Sequence, residues 1–298
     1  ISACAATYAA FLNHAFDRPS RRFRNFMSFD RRWLEAVGSE DCQGLALWAS
    51  GLCVSQAGQG SFQMLAAELF EQALPMAADF TSPRAWAFTL IGIDEYLRRL
   101  SGDRRANQLR EMLTAKLVQR YADAATEDWQ WFEDMVSYTN AKLPHALILS
   151  GLCMNDAPML QTGLTALRWL VKVQTSEAGS FRPIGSNGFF RRGKERALFD
   201  QQPIEAQATV SACIEAYHAT NDMFWEAEAR RAFEWFLGRN DLGLAIYDAS
   251  TGGCRDGLHV DRVSQNQGAE STLAFLLALA EMQALQNTIT SFKEPPGE

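Results

Sequence analysis

The sequence is poor in the residues that most directly announce chemistry. Histidine occurs four times in 298 residues, at His14, His145, His218 and His259, and zinc-type Cys/His spacing is missing. A Cys254–His259 pair is the one short-range candidate for shared ligation, so no metal and no cofactor is expected. The cysteines Cys4, Cys42, Cys53, Cys153, Cys213 and Cys254 are scattered without Cys-x-x-Cys spacing. Three of them fall in apolar helical runs, where a thiol behaves as a small hydrophobe. A reducing, cytoplasmic setting is the simplest expectation. No run reaches ~18 apolar residues, so a membrane span is not expected. Excess positive charge is also lacking: the formal charge is −7. That argues against a nucleic-acid surface, which needs clustered Lys and Arg, and suits a neutral ligand such as a sugar. The short basic stretches Arg18–Arg24 and Arg191–Arg196 are interrupted and read as solvated loops. Neither a Gly-x-Ser-x-Gly nucleophile context nor a Gly-x-x-x-x-Gly-Lys phosphate cradle occurs. The start, Ile-Ser-Ala-Cys-Ala-Ala-Thr-Tyr, has neither Met nor a basic leader. It reads as a chain cut from something longer, beginning inside a helix.

What is present is helical period, with almost no strand alternation. Helices are expected at about 2–15, 31–37, 45–54, 62–74, 84–100, 104–121, 138–152, 158–173, 204–219, 222–237 and 268–285, with a tail fraying from 288 to 298. Those at 45–54, 84–99, 139–152, 204–219 and 269–283 are apolar or small on most sides, as buried helices are. Those at 62–74, 104–121, 158–173 and 222–237 carry one apolar stripe and a charged face, as surface helices do. Strict alternation of the two kinds describes a ring of hairpins. With 2–15 counted as inner, it gives six inner helices: an all-α, (α/α)6 toroid forming a single domain over 1–298. A plain bundle leaves the long loops at about 175–201 and 239–266 unexplained, since loops of more than ~20 residues are uncommon unless functional.

If all inner helices run the same way, the connections leading into them emerge on one face. Those connections hold the unusual residues: Ser39–Gly44 with Asp41, Trp131–Asn140, Asp200–Glu205 and Gln265–Glu270. Gln202 and Gln267 recur 65 residues apart, as do Glu205 and Glu270. Carboxylates, amides and aromatic rings over helix N-termini suit a sugar, whose hydroxyls hydrogen-bond and whose apolar face stacks. Glu205 and Glu270 equally suit helix ends, where a first-turn carboxylate opposes the dipole. Gln202 and Gln267 are poor caps, so their recurrence has no ready structural reason. Glu133–Asp134, beside Trp129 and Trp131, is the most site-like acidic pair. Asp248 and Asp256 lie in a Gly-rich loop that fits structure or function about equally. His145, His218 and His259 read first as satisfied structural histidines.

Three strings, Phe132-Glu-Asp-x-x-x-Tyr-x-Asn-Ala-x-Leu-Pro144, Asp200-Gln-Gln-Pro-Ile-Glu-Ala206 and Asn266-Gln-Gly-Ala-Glu-Ser-Thr272, carry a resemblance. From about Arg22 to Leu279 the chain resembles an uncharacterised bacterial family of six-hairpin glycosidase-like (α/α)6 proteins, often associated with glycosyltransferases. Members of the family usually run from Ser-Glu-Asp into Gly-Arg; here Leu45 follows Gly44, so if that arginine touches ligand in the family, the contact is lacking in this chain. The reading that follows is a glycoside hydrolase-like enzyme. Glu133 or Asp134 would be the general acid, and Glu205, Glu270 or Asp200 the base that activates water. Asp41, Trp131, Tyr138, Asn140, Gln202, Asp256 and Gln267 would bind the glycan. One alternative is a non-catalytic glycan-binding or accessory domain of a glycosyltransferase. Another is a sugar epimerase using His145 or His218 as its base.

Overall fold

The computed structural model describes residues 2–56 and 60–293. Ten α-helices carry the described chain: α1 (Ser2–Ala15), α2 (Glu40–Gln56), α3 (Gly60–Ala73), α4 (Pro83–Arg99), α5 (Arg104–Ala124), α6 (Lys142–Cys153), α7 (Ala157–Val173), α8 (Pro203–Thr220), α9 (Met223–Glu234) and α10 (Ala269–Lys293). Three two-stranded antiparallel ribbons lie in the connections. They pair β1 (Phe16–Asp17) with β2 (Arg22–Phe23), β3 (Met135–Val136) with β4 (Phe190–Arg191), and β5 (Tyr247–Asp248) with β6 (Gly253–Cys254). The expected helix at 31–37 does not form. Arg31 takes a left-handed φ of 64° and Met27 bridges Trp33, so this stretch is a tight ribbon-like turn. α1, expected to be an inner helix, is exposed along most of its length. α10 continues to Lys293, past the point where fraying was expected, and residues 294–298 lie outside the described residues.

The chain divides into two units, residues 1–120 with 149–160 and residues 121–148 with 161–298. In the first unit α2 lies against α4 at glycine contacts. A methyl group on Gly51 would strike the carbonyl of Gly92, and one on Gly92 would stand 2.8 Å from the backbone of Leu47. The absence of side chains there brings the two helix backbones together. The start of α4 has Ser82 as its cap, accepting from Ala85 N at 3.4 Å, with Pro83 in the first turn. Glu40 and Asp41, at the start of α2, grip that cap: Glu40 accepts from Thr81 N and Ser82 N at 2.7 Å, and Asp41 accepts from Ser82 Oγ at 2.8 Å. Gln43 is buried and acts as a surrogate backbone, accepting from Phe23 N and donating to Phe23 O, both at 2.7 Å.

In the second unit α8 is buried along nearly its whole length, as its apolar and small composition demands. Its start follows the sequence signal: Pro203 occupies the first turn, where a missing N–H costs nothing. Gln202 stands at the cap position without a side-chain capping bond. At the other end Asn221, in a left-handed conformation at φ 54°, closes the helix. Below the 126–136 loop, Trp131 stacks on Trp169 at 5.8 Å while Trp129 meets Trp169 and Phe190 edge-on at 5.0 and 4.9 Å. This cluster is core: Trp129 is 5% exposed and Trp131 not at all.

Candidate functional site

The site is built where the chain segment leading into α8 meets the long loop preceding α10. Gln201 and Leu258 pair as an antiparallel bridge, each donating its N–H to the other's carbonyl, at 3.0 and 2.9 Å. This register sets Asp200 opposite His259 and Gln202 opposite Gly257. A Cβ on Gly257 would stand 2.5 Å from the Gln201 carbonyl, so glycine is what permits the close approach. Gln201 itself is buried and fully engaged. Its Nε2 donates to Leu198 O at 2.8 Å and to Asp241 Oδ2 at 2.6 Å, and its Oε1 accepts from Trp235 Nε1 at 2.8 Å. Asp241 is in turn held by Arg182 Nε at 2.8 and 3.0 Å. A buried polar network thus fixes the backbone from which Asp200 and Gln202 project.

Asp200, Gln202, Asp256, His259, Ser186 and Ser264 surround a cavity of about 260 Å³. His259 Nδ1 lies 2.6 Å from Asp200 Oδ1, with the two side chains 36% and 38% exposed. Asp200 adopts φ 58°, and its carbonyl accepts from Ser186 N and Oγ at 3.1 and 3.0 Å. A proton on Nδ1 donated to Asp200 leaves Nε2 as the reactive nitrogen. Asp256 accepts from Gly268 N at 2.6 Å and from Asn266 Nδ2. Burial works against its charge, but these bonds, with one from Ser271, outweigh it and hold the carboxyl below its usual range. The cavity therefore combines an oriented imidazole with a carboxylate kept ionised. None of its lining residues is Lys or Arg.

The structure separates the residues proposed from sequence. Asp200, Gln202 and Asp256 come together at this cavity. Glu205 does not: it is 1% exposed, and its carboxylate accepts from the backbone N–H of Thr139, from Asn140 N at 3.4 Å and from Asn140 Nδ2 at 2.8 Å. It secures the turn before α6, where Thr139 takes a left-handed φ of 45°. Asn140, buried and also accepting from Ser137 N at 2.9 Å, belongs to the same clamp. Trp131 has no surface to offer a sugar. Gln267 ties the loop preceding α10, accepting from Thr251 Oγ1 at 2.8 Å and donating to Asp248 Oδ2 at 3.0 Å. Glu270 stands exposed in the first turn of α10. Glu133 is half-buried, and Asp134 is exposed with Arg192 at 3.6 Å. Tyr138 is 36% exposed. Asp41 lies in the other unit, bound to the α4 cap.

His259, which the sequence reads first as a satisfied structural histidine, is brought beside Asp200 at this cavity. Its partner is 59 positions away, and the bridge that joins them is too short to leave a periodic pattern. The Cys254–His259 pairing is not formed: Cys254 Sγ faces Arg255 O at 3.6 Å. Burial, then the charge of Asp256, pushes that thiol up to about 12, so it stays protonated and inert. His145 is buried and His218 lies 3.8 Å from Glu215, both on helices and outside this cavity's lining. Among the described residues no group of three or more His, Cys, Asp and Glu is arranged to hold a metal ion. No described helix is long and apolar enough to cross a membrane. A larger cavity, of about 490 Å³, lies in the first unit beside Glu71 and Asp103. Both carboxylates lie 3.0 Å from Tyr96 Oη and share its one proton, and Asp103 also caps α5, so both are engaged within the fold.

No protein-family model matches the sequence, and no curated protein matches it. Solved structures do match in fold. An unsaturated glucuronyl hydrolase specific for heparin aligns with a TM-score of 0.69 at 14% identity, covering 94% of this chain and 76% of that one. Cellobiose 2-epimerase from Spirochaeta thermophila aligns at 0.64 and 13%, covering 93% and 78%. An inactive variant of an α-1,6-mannanase from a Salegentibacter species, in which two consecutive aspartates are replaced by alanine, aligns at 0.63 and 10%, covering 94% and 98%. The chain has the (α/α)6 fold of six-hairpin glycosidases.

Proposed function

We propose that this protein is a carbohydrate-active enzyme, and specifically a glycoside hydrolase whose reacting centre is the Asp200–His259–Asp256 cavity. The observation that carries the reading is the 2.6 Å contact of His259 with Asp200 on the wall of a cavity that also holds Asp256. Its structural neighbours carry two chemistries, hydrolysis and sugar epimerisation or isomerisation. Charge discriminates between them. Glycoside hydrolysis passes through an oxocarbenium-like state that is positive, whereas proton abstraction beside a carbonyl builds a negative enolate. A cavity with two carboxylates and no lining Lys or Arg stabilises the first and opposes the second.

In this mechanism His259 acts in its imidazolium form: Nδ1–H is held by Asp200, and the proton on Nε2 passes to the departing glycosidic oxygen, leaving the neutral ring. Asp256 accepts a proton from the attacking water and faces the developing positive charge. Gln202, Ser186 and Ser264 supply hydrogen bonds to sugar hydroxyls. A second placement is favoured by one neighbour: the mannanase variant lacking two consecutive aspartates is inactive, and Glu133–Asp134 is a consecutive acidic pair in this chain. Turnover of an oligosaccharide panel by wild type, His259→Gln and a Glu133→Gln/Asp134→Asn variant separates the two. The cavity reading expects a loss of about 10²–10⁴-fold for His259→Gln and near-normal turnover for the double variant. The reverse result moves the centre to Glu133–Asp134, and binding without turnover in wild type supports the accessory-domain alternative.

A further inference from the structure

The Asp200–His259 cavity stands at the N-terminal end of α8, and another cavity, of about 440 Å³, stands at the C-terminal end of the same helix. The 18 residues of α8, at about 1.5 Å each, put roughly 27 Å between them. We propose that this second cavity is an accessory saccharide site that favours an acidic sugar. The proposal goes beyond the catalytic reading and does not depend on it.

The size, within the ~300–1,000 Å³ range of small-molecule sites, admits a sugar ring. One wall is Trp169, whose indole stacks with Trp131 at 5.8 Å and meets Trp129 edge-on at 5.0 Å, and whose Nε1 donates to Asp128 O at 3.3 Å. A half-buried ring held so firmly is a stacking platform that loses little freedom when a ligand covers it. About two turns away along α7, Gln161 donates to Thr165 Oγ1 at 3.2 Å, which leaves its amide oxygen to accept from a hydroxyl.

The charges give the preference. Arg168, Lys172 and Asp222 line the cavity. Asp222 is already used twice: it caps α9 by accepting from Phe224 N at 3.0 Å, and it faces Arg168 at 3.5 Å. Arg168 is further held over the rings of Phe224 and Trp225, at 4.3 and 4.9 Å. Lys172, exposed in the last turn of α7, has no ion-pair partner among the described residues. The lining is therefore positive by one charge on a chain whose net charge is −7. A sugar carboxylate set beside Lys172, with the ring on Trp169, meets both features.

The test is an NMR titration of nitrogen-labelled protein at low salt with a glucuronate-bearing tetrasaccharide and with neutral maltotetraose. The Trp169 indole signal, identified by its loss in Trp169→Phe, is expected to move with the acidic ligand, which should bind at least fivefold tighter than the neutral one. Lys172→Glu is expected to weaken the acidic ligand about tenfold and to erase the preference. Lys172 is exposed, so an unchanged melting temperature will show that the fold is kept. A Trp169 signal that stays still with both sugars, or a Lys172→Glu affinity equal to wild type, overturns the proposal.

Discussion

Asp256→Asn is expected to lower oligosaccharide turnover by about 10²–10⁴-fold while leaving the melting temperature nearly unchanged. The amide oxygen can still accept from Gly268 N, and the exposed Asn266 can turn its own amide oxygen toward the new NH2, so the loop stays tied, but the negative charge facing the sugar is gone. The pH profile should report the same group. Hydrogen bonds hold the Asp256 carboxyl below its ordinary value of 3.8 against the opposing effect of burial. The base form therefore persists as pH falls, and the acidic limb of kcat/KM should lie below that value in wild type. Asp200→Asn should also cost about 10³–10⁴-fold, because a neutral amide no longer stabilises and orients the imidazolium form of His259 that donates the proton. An Asp256→Asn enzyme with full turnover would remove the carboxylate from the mechanism.

The largest stability effect is expected at Lys142 and Glu281. Lys142 in α6 is 1% exposed and faces the charge of Glu281 in α10, whose carboxylate accepts from Ser211 Oγ at 2.9 and 2.7 Å. Removing one partner of a buried pair costs about 3–5 kcal/mol, whereas replacing both by groups of similar volume is often neutral. Glu281→Ala should therefore destabilise by about 3 kcal/mol, and Lys142→Met with Glu281→Gln should recover most of that. Urea unfolding of the single and double variants measures the difference; equal losses would show that the charges are not coupled. The pH dependence has a defined sign. Burial pulls Lys142 down to about 8 although the charge of Glu281 holds it up. The folded chain releases this proton from about pH 8, while an unfolded lysine keeps it to 10.5. Between those values the unfolded state binds more protons, so this group makes stability rise with pH. Its contribution is lost as pH falls through 8, and Lys142→Met should flatten that window.

The helices were legible because their signals are local. Ser82-Pro83 starts α4 and Pro203 opens α8 as capping chemistry requires, and the apolar run behind Pro203 is buried as its composition implies. The stretch at 31–37 misled because helical propensity could not reveal that Arg31 turns left-handed to let Met27 meet Trp33. The site was legible only in part. Gln202 and Gln267 occupy matching sequence positions, yet one lines the cavity and the other ties a loop through Asp248 and Thr251. Position before a helix does not say where a flexible amide points. Trp131 beside Glu133 looked like a stacking platform, but a large apolar ring gains most by burial, and Trp169 and Phe132 supply its pocket. Glu205 was ambiguous between site and helix end. Its carboxylate went to neither its own helix nor the cavity, but to the turn 65 residues upstream at Asn140. His259 depends on a single bridge between segments about 60 residues apart, which no local pattern records.

With only four histidines in the chain, one spectrum tests the central claim. The imidazole nitrogen signals of Asp256→Asn protein, followed while an oligosaccharide turned over by wild type is added, report directly on His259. The largest shift is expected at His259, with its Nε2 signal moving as the sugar enters the Asp200 cavity. A saturating ligand that leaves His259 unmoved, while amide signals around Glu133 and Asp134 shift instead, would contradict the placement of the reacting centre.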